Sequence, residues 1–224
     1  MNIKKDIWQT KLRIWYSKNK RNLPWRRKSD QNFYSIWLSE VMLQQTMVKT
    51  VIPYYLKFKN KWPNFKSFSN AELDEILLLW QGMGYYQRAQ NLFKSLQILK
   101  RINLNKITYE KLITLPGIGN YSAASISAIF NNQNHVVVDV NIKRIISRAF
   151  GIDKQSKNFL KDLKIKAQYL TPKKDNKNYC QSMMDLGSLV CKSKNPLCNI
   201  CPVCDLCDFA ISSKKENAVK KKKR

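Results

Sequence analysis

Apolar side chains recur along this chain at helical spacing. Trp8, Leu12 and Trp15 stand at i, i+4 and i+7, which predicts a first amphipathic helix. "NLPW" (Asn22 to Trp25) breaks it, because Pro24 has no amide to donate and restricts the residue before it. A second helix is predicted from about Tyr34 to Thr46, and Pro53 punctuates or kinks the next one. Ser69-Asn70-Ala71-Glu72 has the form of a capping box, and Leu73, Ile76, Leu77 and Trp80 then give one apolar face. In "QGMGYYQRAQ" two glycines end that helix, and another runs to about Lys100. "HVVVDVN" (His135 to Asn141) is the only β-like run, and it is short. The pattern predicts an all-α class of about ten helices joined by short loops, with no repeat at a fixed period.

"YEKLITLPGIGNYSAASISAIF" (Tyr109 to Phe130) reads as helix, tight turn, helix. Leu112 and Ile113 are expected to face the core, and Pro116 to stop the first helix. Gly117 and Gly119 permit backbone angles and close approach that a side chain would block. The second helix would start with exposed amides around Gly119, Asn120 and Tyr121, a natural phosphate site at its positive end. Two glycines flanking an apolar residue, preceded by Leu-Pro, favour a helix-hairpin-helix over a generic turn.

Charge changes the picture. The 224 residues carry 41 Lys and Arg against 15 Asp and Glu, a net charge of +26 that points to a polyanion, most simply nucleic acid. Abundant Lys, Asn and Ile would also follow from A/T-rich codons. The length allows one large domain or two small intimate ones. Six Trp and 44% hydrophobic residues argue for a real core. "IWLSEVMLQQTMVKTVIPYYL" is interrupted by Glu40, Gln44, Gln45 and Lys49, so no membrane span is expected, and the first residues lack a signal-peptide pattern. These features predict a cytoplasmic protein, nucleoid-associated through DNA binding, whose clustered cysteines are metal ligands and not disulfides.

Two carboxylates sit in apolar company. Glu40 lies among Ile36, Trp37, Leu38, Val41, Met42 and Leu43, surroundings that oppose ionisation and suit a general acid. Asp139 follows three valines and precedes Asn141, Lys143 and Arg144, so a desolvated Asp beside donors and cations is expected to stay ionised. Such a pair suits cleavage through an oxocarbenium-like sugar transition state. Glu40 as an exposed helix residue and Asp139 as a helix N-cap are the plainer readings. Cys191, Cys198, Cys201 and Cys207 give C-x6-C-x2-C-x5-C, which can wrap a [4Fe–4S] cluster or zinc. Cys204 makes a fifth thiol in the same run, while Cys180 reads as a core residue.

Together the hairpin, the Asp about twenty residues on, and the cysteine spacing resemble the helix-hairpin-helix DNA glycosylases with an iron–sulfur cluster, the endonuclease III superfamily. Within it the chain is most similar to the A/G-specific adenine DNA glycosylases. "LPWR", "WLSEVMLQQTMVKTVIPYY", "LDEILLLWQGMGYYQRAQNL", "LPGIGNYSAASI" and "MMDLGSLVC" carry the likeness. The resemblance implies two helical lobes. Residues 25–134 would form a six-helix barrel with the hairpin, 1–24 and 135–211 a cluster lobe, and 212–224 a disordered basic tail. It implies a monofunctional enzyme of base excision repair that hydrolyses the N-glycosidic bond of adenine opposite 8-oxoguanine or guanine. Its partner would be double-stranded DNA, its cofactor a [4Fe–4S] cluster, and its state a monomer without membrane contact.

By the same resemblance Glu40 would protonate the adenine and Asp139 would stabilise the sugar cation. Asn141 would help position water or the carboxylates. Tyr121 stands where lyases of the superfamily carry a catalytic lysine, which implies an abasic product and no nick. Arg21, Leu23, Trp25 and Asp185 would line the pocket for flipped adenine, Gln45, Met83 and Tyr85 would enter the base stack on the opposite strand, and Thr46 would also bind substrate. Gly117, Gly119, Lys192 and Lys194 would touch phosphates, and Cys191, Cys198, Cys201 and Cys207 would hold the cluster. Three departures stand out. The sequence stops soon after the cluster, where family members usually continue into a nudix-like domain, and this leaves the preference between 8-oxoguanine and guanine open. About two extra residues lie between Trp25 and Tyr34, and Cys204 is additional. A glycosylase/lyase for oxidised pyrimidines and a non-catalytic iron–sulfur DNA-binding protein are the alternatives.

Overall fold

The helical periodicity is realised in a computed structural model that describes residues 4–213. Among the described residues there is no strand. In chain order the α-helices are α1 (Lys5–Asn19), α2 (Phe33–Met42), α3 (Val48–Lys61), α4 (Phe65–Phe68), α5 (Leu73–Trp80) and α6 (Gln87–Leu99), then α7 (Tyr109–Ile113), α8 (Asn120–Phe130), α9 (Val140–Ala149), α10 (Phe159–Leu170) and α11 (Asn176–Leu189). Residues 208–213 are also helical, so 212 and 213 do not start a tail; the rest of the expected basic tail lies outside the described residues. The β-like run before Val140 is irregular. No helix among the described residues is long and apolar enough to cross a membrane. The chain forms two compact units: Asn22–Asn131, and Met1–Arg21 with Asn132–Arg224.

The unit Asn22–Asn131 is built around α2. All ten residues of α2 are buried, as expected of a helix apolar on every side. It packs on α3, α6 and α8. Beside it Tyr34, Phe58, Trp62, Phe68 and Trp80 meet at tilted or edge-on angles, with centroids such as Tyr34–Phe68 5.2 Å apart. Asp30 is one of three charged residues buried in this unit, with Glu40 and Arg88. The Asp30 carboxylate accepts from Ser35 Oγ and Tyr55 OH at 3.0 Å and pairs with Lys59 Nζ at 3.1 Å. Burial pushes the Asp30 carboxyl up, but hydrogen bonds from Lys59, Ser29 and Ser35 prevail and hold it below its usual range.

Several predicted boundaries move. The second helix ends at Met42, because Gln45 takes a left-handed φ of 56° and turns the chain. The capping box of α5 falls three residues later than its sequence pattern: Ser69 closes α4, and the Glu72 amide donates to Glu75 Oε2 at 3.0 Å. Before the hairpin Leu112 is buried but Ile113 is exposed; Leu115 and Ile118 complete the apolar contact instead.

In the other unit α1 turns Trp8, Leu12 and Tyr16 inward, at i, i+4 and i+8, and leaves Trp15 half-buried. The buried Tyr16 hydroxyl donates to Gln181 Oε1 at 2.7 Å, joining α1 to α11. α9 also packs on α11. Gly187 makes that approach possible, since a Cβ there would lie 2.6 Å from the Asn141 Cβ. Asn176 Nδ2 donates to the carbonyls of Gln133 and His135 at 2.6 and 3.1 Å, which fixes the irregular run leading into α9.

Candidate active site and cysteine loop

In the hairpin α7 ends at Ile113 and α8 begins at Asn120, with Gly119 as its N-cap. Only one of the two glycines is needed for its backbone angle. Gly117 has φ 77°, and a Cβ there would meet Asn91 at 2.8 Å. Gly119 has φ −88° with nothing within 4 Å of where its Cβ would be, so it leaves open space over the first amides of α8. Gln44 Nε2 donates to the Gly117 carbonyl at 3.0 Å and to Ser122 Oγ at 3.1 Å, pinning the end of α2 to the hairpin.

Of the catalytic candidates, Glu40 and Tyr121 belong to the unit Asn22–Asn131. Glu40 is 9% exposed on α2, so the exposed-helix reading does not hold. Tyr121, 37% exposed, stands on the first turn of α8. Leu23 and Trp25 are buried in the same core, Trp25 edge-on to Tyr55 at 5.4 Å. Met83, expected in the base stack, lies in that core, 5% exposed. Gln45 and Tyr85 are exposed, both in left-handed backbone, with φ of 56° and 52°; Thr46 is half-buried and donates to the Gln44 carbonyl at 3.3 Å.

Sequence reasoning missed what joins these two turns. Arg88 is buried, and its Nη1 donates to the Met42 carbonyl at 2.8 Å and the Gln44 carbonyl at 2.5 Å. Its Nη2 donates to the Gly84 carbonyl at 3.3 Å, and the guanidinium lies over the Trp80 and Tyr85 rings. A cation at the carboxyl end of α2 answers carbonyls that the helix leaves unpaired. No local pattern marks Arg88 for this, since the carbonyls it meets at the end of α2 lie more than forty residues earlier.

Asp139 and Asn141 belong to the other unit, at the amino end of α9. Asp139 is half-buried and not fully desolvated. It caps the helix, accepting from the Ile142 amide at 2.6 Å, and its second oxygen accepts from Asn141 Nδ2 at 3.0 Å. The cap reading holds, and the helix end keeps a carboxylate where negative charge is favoured. The nearby cation reaches it indirectly. Arg144 Nη2 donates to Asn141 Oδ1 and to the Gly187 carbonyl, and its Nε to the Cys191 carbonyl, each at 2.8 Å. A continuous hydrogen-bonded path thus runs from Asp139 to the first cysteine of the loop.

Arg21 and Asp185 are brought together. Arg21 Nε donates to Asp185 Oδ1 at 2.6 Å and its amide to Oδ2 at 3.0 Å. Asp185 is 0% exposed, and both its carboxylate oxygens are taken by Arg21.

Five thiols, those of Cys191, Cys198, Cys201, Cys204 and Cys207, line one cavity walled by Val190, Pro196, Leu197, Phe209 and Ala210. Cys180 is buried in α11, as expected. Arg148, another residue the sequence did not flag, closes the near side. It donates to Cys191 Sγ at 3.3 Å and to the carbonyls of Lys192 and Ser193 at 2.7 and 2.9 Å. Arg144 and Arg148 are four apart on α9 and so share a face; that spacing was the available signal. Lys192 and Lys194 are exposed. Among the described residues no three His, Cys, Asp or Glu side chains converge as a single ion needs. An iron–sulfur cluster is wider and asks for a ring of thiolates around an apolar cavity, which this donor set fits. Burial pushes the Cys201 thiol up to about 12 and raises Cys207 as well, so loading a metal centre must displace protons.

A family model described as HhH-GPD superfamily base excision DNA repair protein matches residues 38–168. An adenine DNA glycosylase of Buchnera aphidicola subsp. Baizongia pistaciae is 41% identical over 198 residues, covering 87% of this chain and 56% of that protein. The adenine DNA glycosylase of Homo sapiens is 38% identical over 201 residues, covering 85% of this chain and 37% of that protein. The chain thus spans little more than half the length of the curated bacterial relatives it matches. Among solved structures, a thermostable thymine-DNA glycosylase superposes with a TM-score of 0.80 at 24% identity, covering 93% of this chain and 97% of that one. A non-covalent endonuclease III–DNA complex gives 0.73 at 19%, covering 96% and 100%. These two likenesses speak for the fold.

Proposed function

Since the chain belongs to the HhH-GPD superfamily of base excision DNA repair proteins, we propose that it is a monofunctional glycosylase that removes adenine mispaired with 8-oxoguanine or guanine from double-stranded DNA. The observation that carries this reading is Asp139, fixed by the Ile142 amide and Asn141 at the end of α9, in a chain 41% identical to an adenine DNA glycosylase. A carboxylate so held stays in place to stabilise the sugar cation as the N-glycosidic bond breaks. Glu40, buried on α2, supplies the proton that makes adenine a leaving group, and then helps activate water. Tyr121 offers no amine, so the sugar is hydrolysed and not trapped as a Schiff base. Arg21 faces the flipped base, held by Asp185. Gln45 and Tyr85, set by Arg88, meet the opposite strand, and Gly117, Gly119, Lys192 and Lys194 engage phosphates.

Cys191, Cys198, Cys201 and Cys207 hold a [4Fe–4S] cluster. When bound it supplies no step of base excision; it fixes the loop carrying Lys192 and Lys194. The protein acts as a cytoplasmic monomer on the nucleoid.

The test is a single-turnover reaction on a duplex with adenine opposite 8-oxoguanine. Adenine is expected to be released, with strand breakage appearing only after alkali. Breakage without alkali would favour the lyase reading, and tight binding without base release the non-catalytic one.

A further inference from the structure

We propose that Cys204 is a fifth metal ligand of the cysteine loop, able to take the place of Cys207. The inference rests on the iron–sulfur reading above and concerns which thiols can serve it.

The loop below Cys191 is a ladder of three-residue turns. The Cys201 amide donates to the Cys198 carbonyl at 3.4 Å, that of Cys204 to Cys201 at 3.3 Å, and that of Cys207 to Cys204 at 3.4 Å. Short 3-10 helices occupy Cys198–Ile200 and Cys204–Leu206. In such turns side chains at i and i+3 eclipse one another. Cys198 and Cys204 open the two turns, Cys201 and Cys207 cap them in extended backbone, and all four line the cavity that Cys191 closes from α11's end. A thiol placed only for packing would need none of this register. The turn is also held in position: Asp205, between the two candidate ligands, pairs with Lys11 Nζ of α1 at 2.5 Å.

Cys191 is the fixed member of the set, because Arg144 grips its carbonyl and Arg148 its thiol. Exchange therefore belongs to the far end of the ladder, where Cys204 and Cys207 bracket one turn. The step balances without an electron. One iron–sulfur bond to Cys207 breaks and one to Cys204 forms, while the proton leaving the Cys204 thiol is taken up by the released Cys207 thiolate. No oxidant or reductant is needed. Two-residue gaps between successive ligands suit cluster binding in general.

The experiment compares the full-length protein with Cys204→Ala, Cys207→Ala and the double variant, all purified without oxygen. Iron and acid-labile sulfide per chain and visible absorption are read. The wild type and Cys204→Ala should carry equal iron. Cys207→Ala should keep at least half of it, and the double variant should fall to about a tenth or less. Loss of iron from Cys207→Ala as complete as from the double variant would overturn the proposal. If Cys207→Ala is recovered only unfolded, Cys207→Ser with and without Cys204→Ala gives the same comparison with the volume preserved. A wild type that holds zinc and no sulfide would overturn the iron–sulfur reading instead, and retained zinc in the same four proteins would then decide the role of Cys204.

Discussion

The Asp139 carboxylate has both oxygens engaged within its own unit, one by a backbone amide and one by the Asn141 side chain. Asn141 is itself held by Arg144, so its amide cannot rotate away. Asn141→Ala should therefore slow base release while leaving duplex affinity nearly unchanged. Losing one hydrogen bond to a charged group costs about 1.5–3 kcal/mol, or roughly ten- to a hundredfold in rate. Single-turnover rates and binding measured side by side check this, and equal losses in both would make Asn141 a binding residue. The neighbours of Asp139 were readable in part. Apolar residues before it and polar ones after it marked the place, but not that the cation works through Asn141. Residue pattern gives proximity along the chain, and hydrogen-bond direction depends on how α9 meets α11.

Among the elements, α2 illustrates what local sequence can and cannot carry. Its ten buried residues follow directly from an almost wholly apolar run. Its end does not, because Arg88 from α6 accepts the job of satisfying its last carbonyls. Arg88→Met keeps an unbranched apolar stem and removes the donors. It should destabilise the protein by about 3 kcal/mol, the scale for leaving buried polar groups unmet. It should also disorder the Gln45 and Tyr85 turns, read as a lowered melting temperature with faster proteolysis at both. Arg88→Lys should recover only part, since one ammonium cannot reproduce the guanidinium fork. The same logic explains the other shifts. Tyr16 replaces Trp15 on the inner face of α1, because long-range packing chose between neighbours that the periodicity treats alike. The hairpin and the cysteine loop were legible because their chemistry is local: glycine backbone in one, thiol spacing in the other.

For the whole molecule, under the proposed function, the excess of 26 positive charges sets how it meets DNA. Each phosphate neutralised releases counterions, so affinity should fall steeply with salt. A log–log slope of about −5 or steeper is expected, corresponding to six or more phosphate contacts. A flat response would show that the basic composition plays no part in binding. Charge could be read from composition and the all-α class from periodicity, whereas the division into Asn22–Asn131 and the remainder requires knowing which helices touch. The catalytic candidates are shared between those two units, Glu40 and Tyr121 in one, Asp139 and Asn141 in the other.

The most direct test of the proposed activity is single-turnover adenine release opposite 8-oxoguanine by the wild-type protein and by Glu40→Gln. The wild type should free adenine and leave an abasic site that breaks only in alkali, and Glu40→Gln should bind the same duplex without releasing the base. Unchanged release by Glu40→Gln, or a strand cut without alkali, would contradict the assignment.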